Sequence, residues 1–131
     1  LLGIHQAEEV ALSIRRWSDR VGPTGWRLFD EHIRRNPLAG YSPWGRAAVV
    51  AGQGVALYGL YRLTRADAAR TRAVTTALTL GWGAAFCMHL GVSWRTRSFM
   101  PGTATSIVPG LPGAAFVLWR IRSLTRPDEA R

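Results

Sequence analysis

The run AVTTALTLGWGAAFCMHLGVS, residues 73–93, contains no Asp, Glu, Lys or Arg over 21 residues. A helix of that length spans about 30 Å at 1.5 Å per residue, the hydrocarbon thickness of a bilayer. Its polar groups are Thr75, Thr76, Thr79, Ser93 and one imidazole, His89. Threonine hydroxyls usually bond back to their own helix, so His89 is the group that needs a partner. Arg95 and Arg97 follow at once, as expected at an interface.

Two neighbours repeat the pattern. Ala47–Leu63 carries Gln53 as its strongly polar group, and Gly52, Gly54 and Gly59 would permit close helix contact. Thr103–Ile121 is broken by Pro109, Gly110, Pro112 and Gly113 and closed by Arg120 and Arg122. Such breaks are tolerated where neighbouring helices satisfy the freed carbonyls. A fourth, shorter helix is expected over 1–14. Fourteen residues are too few to cross, and its apolar character is already running at Leu1, so the expectation is a span that begins upstream. No charged n-region precedes it, so no signal peptide is read here.

The segments predict an all-α fold, a single membrane domain over 1–131. It is an integral membrane four-helix bundle, with helices at about 1–14, 47–63, 73–93 and 103–121. A soluble bundle would carry charged stripes on its outer faces, and these runs carry none. The connector 17–45 holds an amphipathic helix over 24–35, with Thr24 as cap and Asn36-Pro37 as stop. Trp26, Phe29 and Ile33 share its apolar face. It reads equally as a helix lying in the membrane interface or as a surface helix packed on the protein. The net charge of +9 comes from 17 arginines and no lysine. Because those arginines flank apolar runs, the partner they indicate is a lipid bilayer rather than nucleic acid. The location that follows is multi-pass in a membrane. Alternating helices put about nine arginines on one side and about eight on the other, so the charge bias assigns no orientation. The single cysteine, Cys87, excludes an internal disulfide and reads as core packing. Trp82, Trp94 and Trp119 read as packing and interface anchors, and His32 as a solvated side chain.

The first helix supplies the other ionisable groups. His5, Glu8 and Glu9 stand at i, i+3 and i+4 and share a face. Glu8 and Glu9 lie about 9–11 Å before Arg15. His89 lies at similar depth before Trp94, on the same side of the bundle. Pro101, Gly102 and Thr105 begin the last helix at that level. His5, Glu8, Glu9, His89, Arg95, Arg97 and Thr105 can therefore form one polar cluster. Ionisable groups at membrane depth are costly and point to function. His5, Glu8, Glu9 and His89 form an adequate ligand set for Zn, Fe or Mn. Proton transfer or substrate binding without metal would use the same residues. So would a structural network in which Arg95 or Arg97 neutralises a glutamate. Gln53 is a further candidate for the polar lining.

His5-Gln6-Ala7-Glu8-Glu9 resembles the signature of the HXXEE family of small bacterial membrane proteins. The stretch from His89 through Arg97-Ser98-Phe99-Met100-Pro101-Gly102-Thr103-Ala104-Thr105 is similar to that family's second motif, although Phe99 stands where tyrosine is more usual. The resemblance implies the membrane class and the polar cluster but no reaction. Three functions compete. One is a membrane-embedded enzyme acting on a lipophilic small molecule. In it Glu8 or Glu9 serves as acid or base, His5 and His89 as metal ligands or proton relays, and Arg95 or Arg97 as charge stabiliser. Another is a non-catalytic accessory subunit of a larger membrane complex, packed through the glycine-bearing helix. The weakest is a transporter or proton path, which would need a homo-oligomer to enclose a pore.

Overall fold

A computed structural model describes residues 2–123. All of the regular structure among them is helical: α1 Leu2–Ala11, α2 Ile14–Val21, α3 Arg27–Arg35, a 3₁₀ turn Pro37–Ala39, α4 Pro43–Thr64, α5 Ala68–Thr96 and α6 Thr103–Ser123. The expected C-terminal tail, 125–131, and Leu1 lie outside the described residues. Two helices, α5 and α6, are long and apolar enough to cross a membrane.

The first expected helix is shorter than 1–14. α1 stops at Ala11, about 15 Å from its start, because Ser13 is extended and caps a new helix by accepting from Arg16 N. The stretch taken as polar connector therefore begins with α2, whose Ile14 and Trp17 are buried. The loop expected over 62–72 shrinks to 65–67. Asp67 caps α5 by accepting from the Ala69 and Arg70 amides, and the Thr71 hydroxyl donates to the Thr64 carbonyl. α5 consequently runs five residues earlier and three later than 73–93.

α5 ends at Arg97, whose left-handed backbone (φ +48°) lets its N–H reach the Ser93 and Trp94 carbonyls. The chain then turns back. Ser93 Oγ accepts from Met100 N at 3.1 Å and bonds Thr103 Oγ1 at 2.7 Å. This corner starts α6 beside His89, and α6 packs back along α5. A π-type turn at Ser106–Gly110 interrupts α6, with Val108 out of helical conformation. Gly110 leaves room there for the Phe86 ring, which a Cβ would meet at 3.1 Å.

The apolar core sits at one end of the molecule. Ile14, Trp17, Phe29, Ile33 and Ala39 pack on Val92 and Met100. Helix α3 thus buries Phe29 and Ile33 against protein, while Trp26 stays partly exposed beneath the Arg95 guanidinium. Thr24 does not cap α3 directly. Its amide and hydroxyl both donate to Asp30, and its hydroxyl accepts from Trp26 N. Just outside this core Tyr41 donates to the Asp19 carboxylate at 2.9 Å, which holds its phenol above the ordinary range. Trp17 Nε1 donates to Ser98 Oγ at 2.9 Å, tying α2 to the end of α5. Trp17→Ala is expected to cost about 3–5 kcal/mol. Trp17→Phe, which keeps most of the packing, is expected to cost nearer the 1–3 kcal/mol of an unsatisfied partner. Thermal unfolding in mild detergent, followed by helical circular dichroism, checks the order.

Two packing expectations are corrected. Cys87 is exposed, not core, because the inward face of α5 carries Trp82, Phe86 and His89 and residue 87 falls off that face. Gly52, Gly54 and Gly59 face open space within the chain, with no atom within 4 Å of a Cβ built there. The glycines of α4 therefore make no close helix contact inside this fold.

Candidate metal centre

His5 and Glu9, one turn apart on α1, meet His89 from α5. All three are buried, at 1%, 7% and 3% exposure. Glu9 Oε1 lies 3.6 Å from His5 Nε2 and 3.4 Å from His89 Nε2. The two imidazoles meet edge to face with centroids 4.8 Å apart, and one ligand atom from each of the three residues lies within 4.8 Å of the others. Separations of 3.4 and 3.6 Å exceed a hydrogen bond, whose usual limit is about 3.2 Å. They match the edge of a coordination tetrahedron: donors about 2.0–2.2 Å from a zinc ion are about 3.3–3.6 Å apart. The two spacings to Glu9 therefore fit a shared ion better than direct hydrogen bonds.

Behind His5 stands an ordered outer layer. Thr105 Oγ1 is 2.9 Å from His5 Nδ1 and 2.6 Å from Glu8 Oε2. Glu8 Oε2 also accepts from Thr105 N at 3.0 Å. An ionised carboxylate only accepts, so the one hydroxyl proton goes to Glu8 and the oxygen accepts from His5 Nδ1–H. This assignment fixes the tautomer: the His5 Nε2 lone pair faces Glu9 and His89. Carboxylate support of a ligand imidazole is the usual companion of a metal site. Glu8, expected as a fourth ligand from the i, i+3, i+4 pattern, bonds Thr105, and the three donors that converge are His5, Glu9 and His89. Glu8→Gln and Thr105→Val are each expected to weaken metal affinity by about 10–100-fold and to leave the stoichiometry unchanged at saturating metal. Competition against a chelating dye measures this.

Gly102 closes the site. Its φ is +90°, and a Cβ built on it would lie 2.6 Å from His89 Cε1 and 2.8 Å from His5 Cε1. His89 Nδ1 is buried without a hydrogen-bond partner among the described residues, so an unpaired imidazole nitrogen also belongs to the centre. Arg95 and Arg97, expected to stabilise charge in the cluster, do not enter it. Arg95 Nε donates to the Thr24 carbonyl at 2.7 Å, and Gly25 (φ +79°) makes room for its guanidinium. Arg97 is exposed at the helix end. The α2–α3 segment draws Arg95 outward, which helix spacing could not reveal.

A cavity of about 300 Å³ borders the three ligands. Gln53 and Trp82 line it near α4 and α5, and Phe29, His32 and Asn36 line it from the α3 side. The Gln6 amide donates to the Gln53 side-chain oxygen, joining α1 to α4 beside the ligands. His32, read as merely solvated, is exposed but walls this cavity and bonds Asn36 Nδ2 at 3.2 Å through Nε2. Nothing in the periodicity of α3 marked it, because its neighbour across the cavity is α5.

The model of a family described as proteins of unknown function with an HXXEE motif matches residues 1–117. No curated protein and no solved structure matches the chain. His5, Glu8 and Glu9 are the motif's named positions, and the chain belongs to this HXXEE family.

Proposed function

We propose that the chain is a membrane-embedded, metal-dependent enzyme acting on a lipophilic small molecule, with His5, Glu9 and His89 holding one ion of Zn, Fe or Mn. The observation that carries the reading is the convergence of three buried donors, with Glu9 at 3.6 and 3.4 Å from the two imidazoles and the Glu8–Thr105 support behind one of them. Three protein ligands leave a coordination position open, as catalytic sites do. An ion there supplies a Lewis acid and an acidified water. The protein's part is to orient and to exclude. Glu8 and Thr105 hold the His5 ring, and the cavity walls keep bulk water from the ligands. Gln53 offers a polar contact beside them. The membrane setting rests on α5 and α6, whose most apolar windows are only 11% and 17% buried within the chain. So much outward apolar surface suits lipid rather than water. In this setting α4, α5 and α6 cross a bacterial cytoplasmic membrane, α1 reaches half-way, and α3 lies at the interface.

Purified protein in mild detergent is expected to carry about one equivalent of a single transition metal. His89→Ala and Glu9→Gln are expected to lose it while keeping helical circular dichroism. Less than about a tenth of an equivalent in the wild type, after growth and purification without chelators, would overturn the metal reading. An accessory-subunit role draws on a different observation, the open glycine face of α4 with Val55 and Tyr58 exposed beside it. A monomer in mild detergent that never co-purifies with another membrane protein would remove that support.

A further inference from the structure

A second cavity, of about 220 Å³ and open on one side, lies among α1, α4, α5 and α6. Leu2 of α1, Leu57 of α4, Leu78 of α5, and Ala114 and Val117 of α6 line it. Two threonines also reach it, and one of these, Thr79, spends its hydroxyl proton on the Thr75 carbonyl at 2.7 Å. The slot therefore presents almost pure hydrocarbon.

It adjoins the polar site at two residues. Trp82 walls both cavities. Phe86, which lines the slot, packs edge-on against the His5 ring with centroids 4.9 Å apart. On α5 the order is Thr75, Trp82, Phe86, His89 along one face. At 1.5 Å per residue the lining residues of α5, Phe86 to Thr75, lie from about 5 to about 21 Å beyond His89, toward the opposite end of α5. A water-soluble substrate has no use for such an extension. An alkyl or isoprenyl chain would fill it.

We infer that the substrate is a single-chain amphiphile. Its oxygen-bearing head sits at His5, Glu9 and His89, and its hydrocarbon chain passes Trp82 into the slot between α4, α5 and α6. This rests on the metal-site reading above and adds the substrate's shape. The head must offer an oxygen donor to the open position. The chain must be single and slim enough to pass one indole, which sets the site against two-chain phospholipids.

The probes are acetohydroxamate and octanohydroxamate, which share one metal-binding head and differ in the chain. Binding is measured on metal-loaded protein in nanodiscs, against wild type and against Leu57→Trp and Val117→Phe, each of which narrows the slot. Wild type is expected to bind octanohydroxamate at least about 100-fold more tightly, since each buried methylene contributes about threefold to fourfold. Both variants are expected to lose about tenfold or more of the octanohydroxamate affinity. They should keep their metal and bind acetohydroxamate within about twofold of wild type. Absence of bound metal, or of acetohydroxamate binding in the wild type, would sink the metal site itself. A metal-loaded wild type with no gain from the longer chain would overturn the amphiphile alone. So would variants that keep their metal and bind octanohydroxamate as tightly as wild type. If one variant fails to hold metal, the other decides.

Discussion

Gly102→Ala is expected to leave a folded, helical protein that cannot hold the proposed ion. The new methyl would lie within 2.8 Å of both imidazoles, including His89 Nδ1. The His5 ring cannot yield, since it is pinned by Thr105 on one side and Phe86 on the other. The backbone adds its own penalty, because φ +90° costs a non-glycine residue of order 1–3 kcal/mol. The rings must part, and the 3.4 and 3.6 Å spacings to Glu9 are lost. A fall in metal affinity of at least about a hundredfold is expected, read by chelator competition. Gly83→Ala is the control. Nothing lies within 4 Å of a Cβ there, and alanine is favoured over glycine inside a helix by about 0.5–1 kcal/mol. Equal metal affinity in the Gly102→Ala protein would contradict the packing described for the site.

Arg46→Ala is expected to destabilise the fold about as strongly as the loss of Trp17. Arg46 is 3% exposed although it stands in the first turn of α4. Its Nε and Nη2 donate to the Val10 carbonyl at 3.1 and 2.6 Å, and Nη1 donates to the Gly40 and Tyr41 carbonyls at 2.7 and 2.9 Å. Val10 lies in the last turn of α1, where carbonyls lack helical partners and a cation is favoured. One guanidinium thus ends α1 and anchors the turn before α4. Truncation strands three carbonyls, and about 3–5 kcal/mol is the expected loss. Arg46→Lys should recover little, because an ammonium cannot reproduce the five-donor fork. The midpoint of thermal unfolding reads both. Because α1 carries His5 and Glu9, metal retention should fall along with stability. A lysine variant as stable as wild type would refute the capping role.

The helical class and the meeting of His5, Glu9 and His89 were legible because both rest on counting. A run without charges gives length, and equal distance from an interfacial arginine gives depth. Glu8 illustrates where counting stops. It shares the broad face of α1 with His5 and Glu9, yet the start of α6 captures it, and that depends on how the Met100–Thr103 corner folds back. Arg95 was misplaced for a similar reason, since the Thr24 carbonyl and the Trp26 ring compete for it. Helix α2 could have been found: Ile14, Trp17 and Val21 stand at i, i+3 and i+7, and Ser13 precedes them as a cap. The exposure of Cys87 also follows once Trp82, Phe86 and His89 define the inward face. Arg46 and His32 left no local signal, because their partners lie on other elements.

The most direct measurement is X-ray absorption at the edge of the metal that the purified protein carries. The account predicts two imidazole nitrogens at about 2.0–2.1 Å and a carboxylate oxygen near 2.0–2.2 Å, with one imidazole lost in His89→Ala. A sulfur scatterer near 2.3 Å, or a wild-type spectrum without imidazole, would contradict it.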